Sequence, residues 1–298
     1  TWRQWEAILD KCGFGESHLM QGEGFLNIQA VFVAQAGRGG TPKRKHSMDL
    51  SEVSHLLSGG LGGLGLLTAR FLVERGATEL VLSSRSNRVP IESASDWEWL
   101  AGCGQTIQRV RCNVSDDHSV VTTSLSMPSY CNLPLGSIFH AAHQLADATI
   151  PNQQALNFRS AYGPKVYGAS ALHGVGLRTK LLFFNVYSSA AGLMGSAGQA
   201  PHSASCTWLD VMAVYRRNLG LTGQSVSWGA VANIGYAARH AGAIEKAAAA
   251  GSGSISLEMT HSALQSSLLP SSRSFAVMPV DWAKLLSGNS AFGLIAPY

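Results

Sequence analysis

Charged residues are scarce in this chain: Asp, Glu, Lys and Arg make up only 13% of its 298 residues, against 46% hydrophobic residues. This balance argues against an intrinsically disordered chain, and with 32 glycines it favours a buried parallel sheet with many tight turns. The net charge is only +4, and part of it comes from one cluster, Lys43 to Lys45. A nucleic-acid-binding protein needs a broader basic face, so no nucleic acid is expected as a partner.

Long apolar runs and paired cysteines are also missing. No run in the sequence approaches the about 18 apolar residues that suggest a transmembrane helix, and the first residues do not resemble a signal peptide. Neither membrane insertion nor secretion is therefore expected. The five cysteines are an odd number without CxxC spacing, which predicts neither a disulfide framework nor a metal site. The expected location is cytoplasmic, or an organelle lumen if the parent polypeptide carries a targeting segment.

The strongest local pattern is a βαβ unit at residues 51–86, in which a short strand, a glycine loop, an amphipathic helix and a second apolar strand follow one another. Glycines spaced G-x-x-x-G-x-G let backbone N–H groups and a helix N-terminus approach a pyrophosphate. A glycine turn with only a structural purpose is the alternative. The loop predicts a dinucleotide site formed by Ser58, Gly59, Gly60, Leu61, Gly63, Leu64 and Gly65.

The ends of the next two strands indicate which dinucleotide binds. Ser84 and Arg85 stand where an NAD site usually carries an acid for the ribose 2′-hydroxyl. A cation there suits a 2′-phosphate, so NADPH is expected rather than NADH, although a solvated surface arginine is the alternative. The third strand ends at Asn113, followed by Val114, at the same edge of the predicted sheet.

A central stretch carries the expected chemistry. The apolar run LLFFNV at residues 181–186 predicts a buried parallel strand, and a helix is expected to begin near Gln199. Residues 188–210 read SSAAGLMGSAGQAPHSASCTWLD, which closely resembles the ketoreductase domain of modular polyketide synthases, usually SSxAGxxGxxGQANYAAANAxLD. In this resemblance Ser189 is the catalytic serine. His202 stands where the family has its proton-donating Tyr, and Cys206 where it has an Asn.

Two further family motifs are present. Lys165 lies in the text PKVxGAxxLH, where the family's Lys belongs to the proton relay, whereas a lone Lys on a helix is usually a solvated charge. The text GSIFHAA at residues 136–142 matches the family's segment beside the nicotinamide ribose. The resemblance therefore implies cofactor contacts from His140, Ala141 and Ala142. It also implies that Asn113 stands in place of an Asp beside the adenine, where its amide oxygen can still accept a hydrogen bond.

The resemblance also implies a substrate side of the site. Asp147 matches one Asp of the family's VLDDG stretch, which helps to set the stereochemical course, and Ser188 precedes the catalytic serine. Gly235 lies in residues 234–254, an Ala-rich segment with Gly near both ends. We expect this segment to be a mobile lid over the cleft, and a loose surface helix is the alternative.

The resemblance covers about residues 53 to 286 and implies an α/β fold, a doubly wound Rossmann-type parallel sheet like that of short-chain dehydrogenases. Residues 51–290 are predicted to form the NADPH-binding ketoreductase domain, and residues 36–50 an exposed linker rich in Gly and cations. Residues 1–35 are expected to form a helix, a turn and a strand around Leu26 to Ala34. They resemble the end of a methyltransferase domain, or are an extension packed on the main domain.

Two functions fit these patterns. The first is NADPH-dependent reduction of a β-ketoacyl thioester on the phosphopantetheine of an acyl carrier protein, within a polyketide synthase whose other domains are neighbours. The second is a catalytically impaired or inactive scaffold of the same fold, because the usual Tyr and Asn are absent. His202 can donate a proton as imidazolium or offer one N–H as a neutral ring. Cys206 can form a Cys/His nucleophilic pair with it, but a buried inert thiol is the more common case.

Limited digestion with trypsin tests the predicted linker. No apolar period crosses Ala36 to His46, so the first cuts are expected at Lys43 to Lys45. Mass spectrometry should then find a resistant core that starts near Met48. A first cut inside residues 53 to 232 contradicts this boundary.

Overall fold

The computed structural model describes the backbone of two strands, Phe14–Gln21 and Ala30–Ala36, and residues 49–232, 248–249, 251–269 and 273–288. Three sequence-based expectations fall wholly or mostly outside these residues. They are the N-terminal helix, the exposed linker and the lid with Gly235.

The first two strands form a small antiparallel sheet of their own. β1 (Phe14–Gln21) pairs with β2 (Ala30–Ala36), with an irregularity between Gly15 and Ser17. The sequence predicted a turn and then one strand around Leu26 to Ala34. That expectation missed the first strand. A strand is held by backbone hydrogen bonds to a partner strand, and the local sequence pattern does not show which segment is the partner.

The main sheet has seven parallel strands among the described residues, in the order β5-β4-β3-β6-β7-β8-β9. They are β3 (Ser54–Ser58), β4 (Glu79–Ser84), β5 (Thr106–Arg111), β6 (Leu135–His140), β7 (Phe183–Ser189), β8 (Gln224–Trp228) and β9 (Phe275–Val277). The chain winds outward from β3 in one direction and from β6 in the other. This confirms the predicted doubly wound sheet, whose ligand crevice lies outside the carboxyl ends of β3 and β6.

Helices cover both faces of the sheet. The α-helices are α1 (Gly63–Glu74), α2 (Ala94–Gly102), α3 (Asp117–Leu125), α4 (Met127–Tyr130), α5 (Ala155–Tyr162), α6 (Gly168–Gly176), α7 (Ala191–Met194), α8 (Ala200–Asn218), α9 (Leu257–Ser267) and α10 (Trp282–Gly288). Short 3₁₀ turns lie at Leu50–Glu52, Ile91–Ser93 and Ile150–Asn152.

The helical region at residues 155–176 is interrupted. A π-helical turn, Gly163–Tyr167, separates α5 from α6. Pro164 has no N–H to donate, so the regular α-helical hydrogen-bond ladder cannot pass through it. The wider turn that results is a feature often found at functional sites, and it contains Lys165.

Two apolar layers hold the helices against the sheet. Leu57 of β3 and Phe139 of β6 face the layer that includes side chains of α1 and α9. Their neighbours Leu56 and Ile138 face the layer under α6 and α8. Because side chains alternate along a strand, His140, two residues after Ile138, lies on the α6 and α8 side.

Replacing Gly65 tests the close packing of the glycine loop. A Cβ atom at Gly65 meets the carbonyl oxygen of Gly59 at 2.4 Å and the Cα of Gly60 at 2.7 Å. Gly65→Ala should therefore lower the free energy of unfolding by roughly 1–3 kcal/mol, measured in denaturant.

Gly174→Ala is the matched control for this substitution. Gly174 lies in α6, and a Cβ there has no neighbour within 4 Å. Its replacement should raise the free energy of unfolding by about 0.5–1 kcal/mol, because Ala is the better helix former. Equal stability of the two variants would contradict the packing of the loop against α1.

Candidate functional site

The glycine loop between β3 and α1 forms one wall of the site. Gly59 has a φ of +71°, and a Cβ on it lies 2.6 Å from the backbone nitrogen of Ala142. The loop thus folds tightly against the segment after β6, which no larger residue permits at this position. Helix α1 begins at Gly63, so its unpaired N–H groups are available to a phosphate at this edge.

A cleft of about 980 Å³ runs along the carboxyl edge of the sheet and joins the glycine loop to the central stretch. Most residues predicted for the site line it: Ser58, Gly59, Gly63, Leu64, Gly65, Arg85, Asn113, Val114, Ala141, Ala142, Asp147, Lys165, Ser188, Ser189 and His202.

Five predicted residues lie outside the lining of the cleft, and Gly235 is outside the described residues. Gly60 and Leu61 are buried under the loop, His140 is buried beneath the cleft, and Cys206 is buried in α8. Ser84 lies at the end of β4, where its hydroxyl oxygen accepts a hydrogen bond from the N–H of Asn87 at 3.0 Å. Sequence patterns place residues along the chain but do not tell which side chains a turn buries.

The cleft offers polar groups at the adenosine end that the sequence predicted. Arg85 donates from Nη1 to Oε1 of Gln144 at 2.8 Å, and both side chains line the cleft. The amide oxygen of Asn113 accepts from the N–H of Ser115 at 3.3 Å. One lone pair of this oxygen is therefore engaged within its own turn, and the second is available to a ligand.

Buried polar atoms in the cleft wall test whether a dinucleotide fits. The hydroxyl oxygen of Ser58 and the indole nitrogen of Trp228 are buried and have no hydrogen-bond partner in the part of the chain that the structure describes. Both residues line the cleft. Buried polar atoms normally have partners, and a ligand with hydroxyl, phosphate and amide groups can supply them. With the glycine cradle, these atoms fit a nicotinamide dinucleotide.

Lys165 lies in the π-helical turn and is only 2% exposed. Its ammonium Nζ donates to the backbone carbonyl oxygen of Tyr187 at 3.0 Å and lines the cleft. A buried ammonium with a carbonyl rather than a carboxylate as partner keeps most of its charge uncompensated. It therefore acts on every titratable group around it.

The two serines at the end of β7 point to opposite faces of the sheet. Ser188 is buried, and its hydroxyl donates to the carbonyl oxygen of Cys206 in α8 at 3.0 Å. The hydroxyl oxygen of Ser189 accepts from the N–H of Ala191 at 3.2 Å. That contact uses a lone pair and not the proton of Ser189, so its O–H can still donate to a ligand in the cleft.

His202 lies in the first turn of α8 and is partly buried. Burial lowers the pKa of its imidazole to about 3, and the nearby Lys165 ammonium and His143 add to the effect. The ring is therefore neutral at physiological pH. Its Nε2 lies 3.7 Å from the sulfur of Cys206, a weak contact, and its Nδ1 is buried without a partner among the described residues.

Sequence reasoning missed residues from the last third of the fold. Trp228, Ser252, Met278 and Leu285 line the cleft beyond β7. Of these, only Trp228 could have been found from the sequence, because it ends β8, and the carboxyl ends of parallel strands meet at the ligand edge.

None of the helices that the structure describes is long and apolar enough to cross a membrane. No group of three or more His, Cys, Asp or Glu side chains in that part of the chain is placed to hold a metal ion.

Solved structures of ketoreductases resemble this fold. The chain superposes on an A-type ketoreductase from a modular polyketide synthase with a TM-score of 0.76 at 27% identity, covering 88% of this chain and 55% of the other. An A1-type ketoreductase gives a TM-score of 0.76 at 26% identity, covering 97% of this chain and 59% of the other.

Curated relatives are much longer than this chain. It is 35% identical over 195 residues to the squalestatin tetraketide synthase of Phoma sp., covering 65% of this chain and 8% of the relative. It is 35% identical over 208 residues to a mycocerosic acid synthase-like polyketide synthase of Mycobacterium tuberculosis, covering 69% and 10%. The family model described as the KR domain matches residues 53–233. The chain therefore belongs to the KR domain family, the ketoreductases of polyketide synthases.

Proposed function

We propose that this chain reduces a β-ketoacyl thioester, carried on the phosphopantetheine of an acyl carrier protein, to the β-hydroxyacyl thioester with NADPH. KR domains are nicotinamide-dependent reductases. The main support for the proposal is one continuous cleft, which connects the glycine loop to Ser189, His202 and Lys165. When bound there, the reduced nicotinamide supplies the hydride.

The residues of the chain then have separate tasks. The glycine loop and the start of α1 hold the phosphates, and Arg85 reads the 2′-phosphate. The O–H of Ser189 and one N–H of His202 donate hydrogen bonds to the ketone oxygen as negative charge develops on it. Lys165 contributes its positive charge to the same region. A neutral His202 stabilises the oxyanion but is a poor general acid, so the final proton comes from water or through Lys165.

A second function has its own support. The pKa of His202, lowered to about 3, removes the imidazolium that would replace the missing phenol. Cys206 is fully buried and lacks the amide of the usual Asn. These two features favour a scaffold domain that binds cofactor but reduces slowly or not at all.

The proposed partners follow from the reaction and from the relatives. The chain spans about a tenth of the curated polyketide synthases it matches, so we propose an acyl carrier protein and other synthase domains as neighbours. The free thiols at Cys103, Cys112, Cys131 and Cys206 support a reducing location such as the cytoplasm. Residues 51–290 remain the proposed extent of the domain.

Cofactor binding is the first test. NADPH should bind more tightly than NADH, and Arg85→Ala should weaken NADPH binding by roughly tenfold or more while leaving NADH unchanged, because a charge-assisted hydrogen bond is lost. Quenching of tryptophan fluorescence measures both, since Trp228 lines the cleft. Arg88→Ala is the matched control: Arg88 is exposed and does not line the cleft. Equal affinities for the two dinucleotides contradict the role of Arg85, and no binding of either favours the scaffold.

Turnover with a β-ketoacyl thioester mimic tests His202. His202→Ala should lower the rate by roughly 10²-fold or more, because one hydrogen-bond donor to the oxyanion is lost. His202→Tyr should raise the rate by restoring a phenol as general acid. Because the pKa of His202 is about 3, the wild-type rate should show no inflection from this ring across about pH 5 to 8.

Substitution of an exposed histidine, His118→Tyr on α3, is the control for these rates. If His202→Ala keeps most of the wild-type rate, Ser189 and water are sufficient for protonation. The assignment of His202 is then wrong, even if the chain is a reductase.

A further inference from the structure

The proposed reaction gives no role to one of the buried histidines. His140 ends β6 and is 1% exposed. Neither of its ring nitrogens has a hydrogen-bond partner in the region that the structure describes. Buried polar atoms without partners are rare and costly, so this imidazole calls for an explanation.

His140 lies next to the π-helical turn that carries Lys165. The imidazole faces the backbone carbonyls of Pro164 and Lys165, although its nitrogens do not reach hydrogen-bond geometry. Gly168, the residue directly after the π-helical turn, is also close to the ring: a Cβ atom added to it would lie 3.2 Å from the Cε1 atom of His140. The ring thus lies directly beneath the π-helical turn that carries Lys165.

The charge state of His140 is compatible with this position. Burial and the ammonium of Lys165 lower the pKa of the ring to about 3. A neutral ring can lie beside the buried cation without repelling it, and one N–H can be directed at the carbonyls of the turn. A lysine or arginine here would oppose the charge of Lys165.

The carbonyls of the π-helical turn can accept a further hydrogen bond. The carbonyl oxygen of Lys165 already accepts from the backbone N–H of Gly168, and each carbonyl oxygen has a second lone pair. The side chain of a residue from the sheet can therefore support the turn from below.

We propose that His140 is a positioning residue, which holds the π-helical turn so that the ammonium of Lys165 stays directed into the cleft. The catalytic importance of this placement rests on the proposed reductase function, but the placement itself does not. His140 acts through Lys165 and need not touch substrate or cofactor.

The chain offers a matched control, His55. It is also fully buried on a central strand, β3, and burial lowers its pKa to about 4. Both of its ring nitrogens have partners, however: Ser137 Oγ at 2.6 Å and the carbonyl oxygen of Leu50 at 3.0 Å. It does not line the cleft. His55 therefore has a structural task only.

The experiment compares His140→Phe and His55→Phe in the full 298-residue chain. Acylation of Lys165 by acetic anhydride is followed by mass spectrometry, with the exposed Lys180 as internal reference. Lys165 is protected by burial in the wild type, so His140→Phe should raise its relative acylation rate by roughly tenfold, as local opening exposes it. His55→Phe should not. His140→Gln or His140→Asn, which keep an N–H donor, should restore much of the protection.

The kinetic readout is separate. With the thioester mimic, His140→Phe should lower kcat by roughly tenfold or more, with a smaller change in the KM for the thioester, because a displaced Lys165 affects the transition state more than binding. A wild type that does not reduce the mimic overturns the proposed function, whereas the acylation rates still decide the role of His140.

Three outcomes overturn the proposal. Unchanged acylation of Lys165 in His140→Phe means that the nitrogens of the ring are not needed. An equal rise in His55→Phe means that any loss of a buried histidine loosens the core. If His140→Phe does not fold, His140→Leu and His140→Asn are compared instead, and equal acylation of Lys165 in these two variants also overturns it.

Discussion

The buried ammonium of Lys165 is the constraint on which the rest of the site depends. It is almost wholly removed from water, and its hydrogen bond goes to the carbonyl of Tyr187 rather than to a carboxylate. Burying such a charge is costly, and residues kept in that state usually have functional work. Burial, and after it the field of Lys165, lowers the pKa of both His140 and His202. The π-helical turn, the end of β7 and the start of α8 all meet around it.

That constraint makes an imidazole at position 202 a poor substitute for the phenol that the sequence resemblance implies there. A phenol is neutral until high pH and can donate its proton beside a cation. An imidazole must first become positive, and burial together with Lys165 prevents this at His202. The substitution therefore changes the kind of chemistry available, from proton transfer to hydrogen bonding. Reduction can proceed in this arrangement only if another donor supplies the proton.

The two halves of the cleft differ in how closely they keep to the family pattern. The glycine loop meets the steric demands of a dinucleotide site at Gly59 and Gly65, where added side chains collide with backbone. In the sequence resemblance, the proposed catalytic half departs from the family pattern at His202 and Cys206. A glycine packed against backbone cannot be replaced by a larger residue, whereas a side chain that donates a hydrogen bond can be exchanged without loss of the fold. A domain can thus bind its cofactor while its chemistry changes.

The sequence by itself determined the βαβ unit, the buried strand before the central stretch, and some of the residues that line the cleft, among them Lys165 and Ser189. Those features depend on local periods, glycines and prolines, and on the rule that parallel strands present their carboxyl ends together. Only the tertiary structure decided that β1 pairs with β2, that Gly60, Leu61 and His140 are buried beneath the cleft, and that His202 is neutral. Burial and the fields of buried charges arise from contacts between residues far apart in the chain, such as Lys165 with Tyr187, and no local pattern contains them.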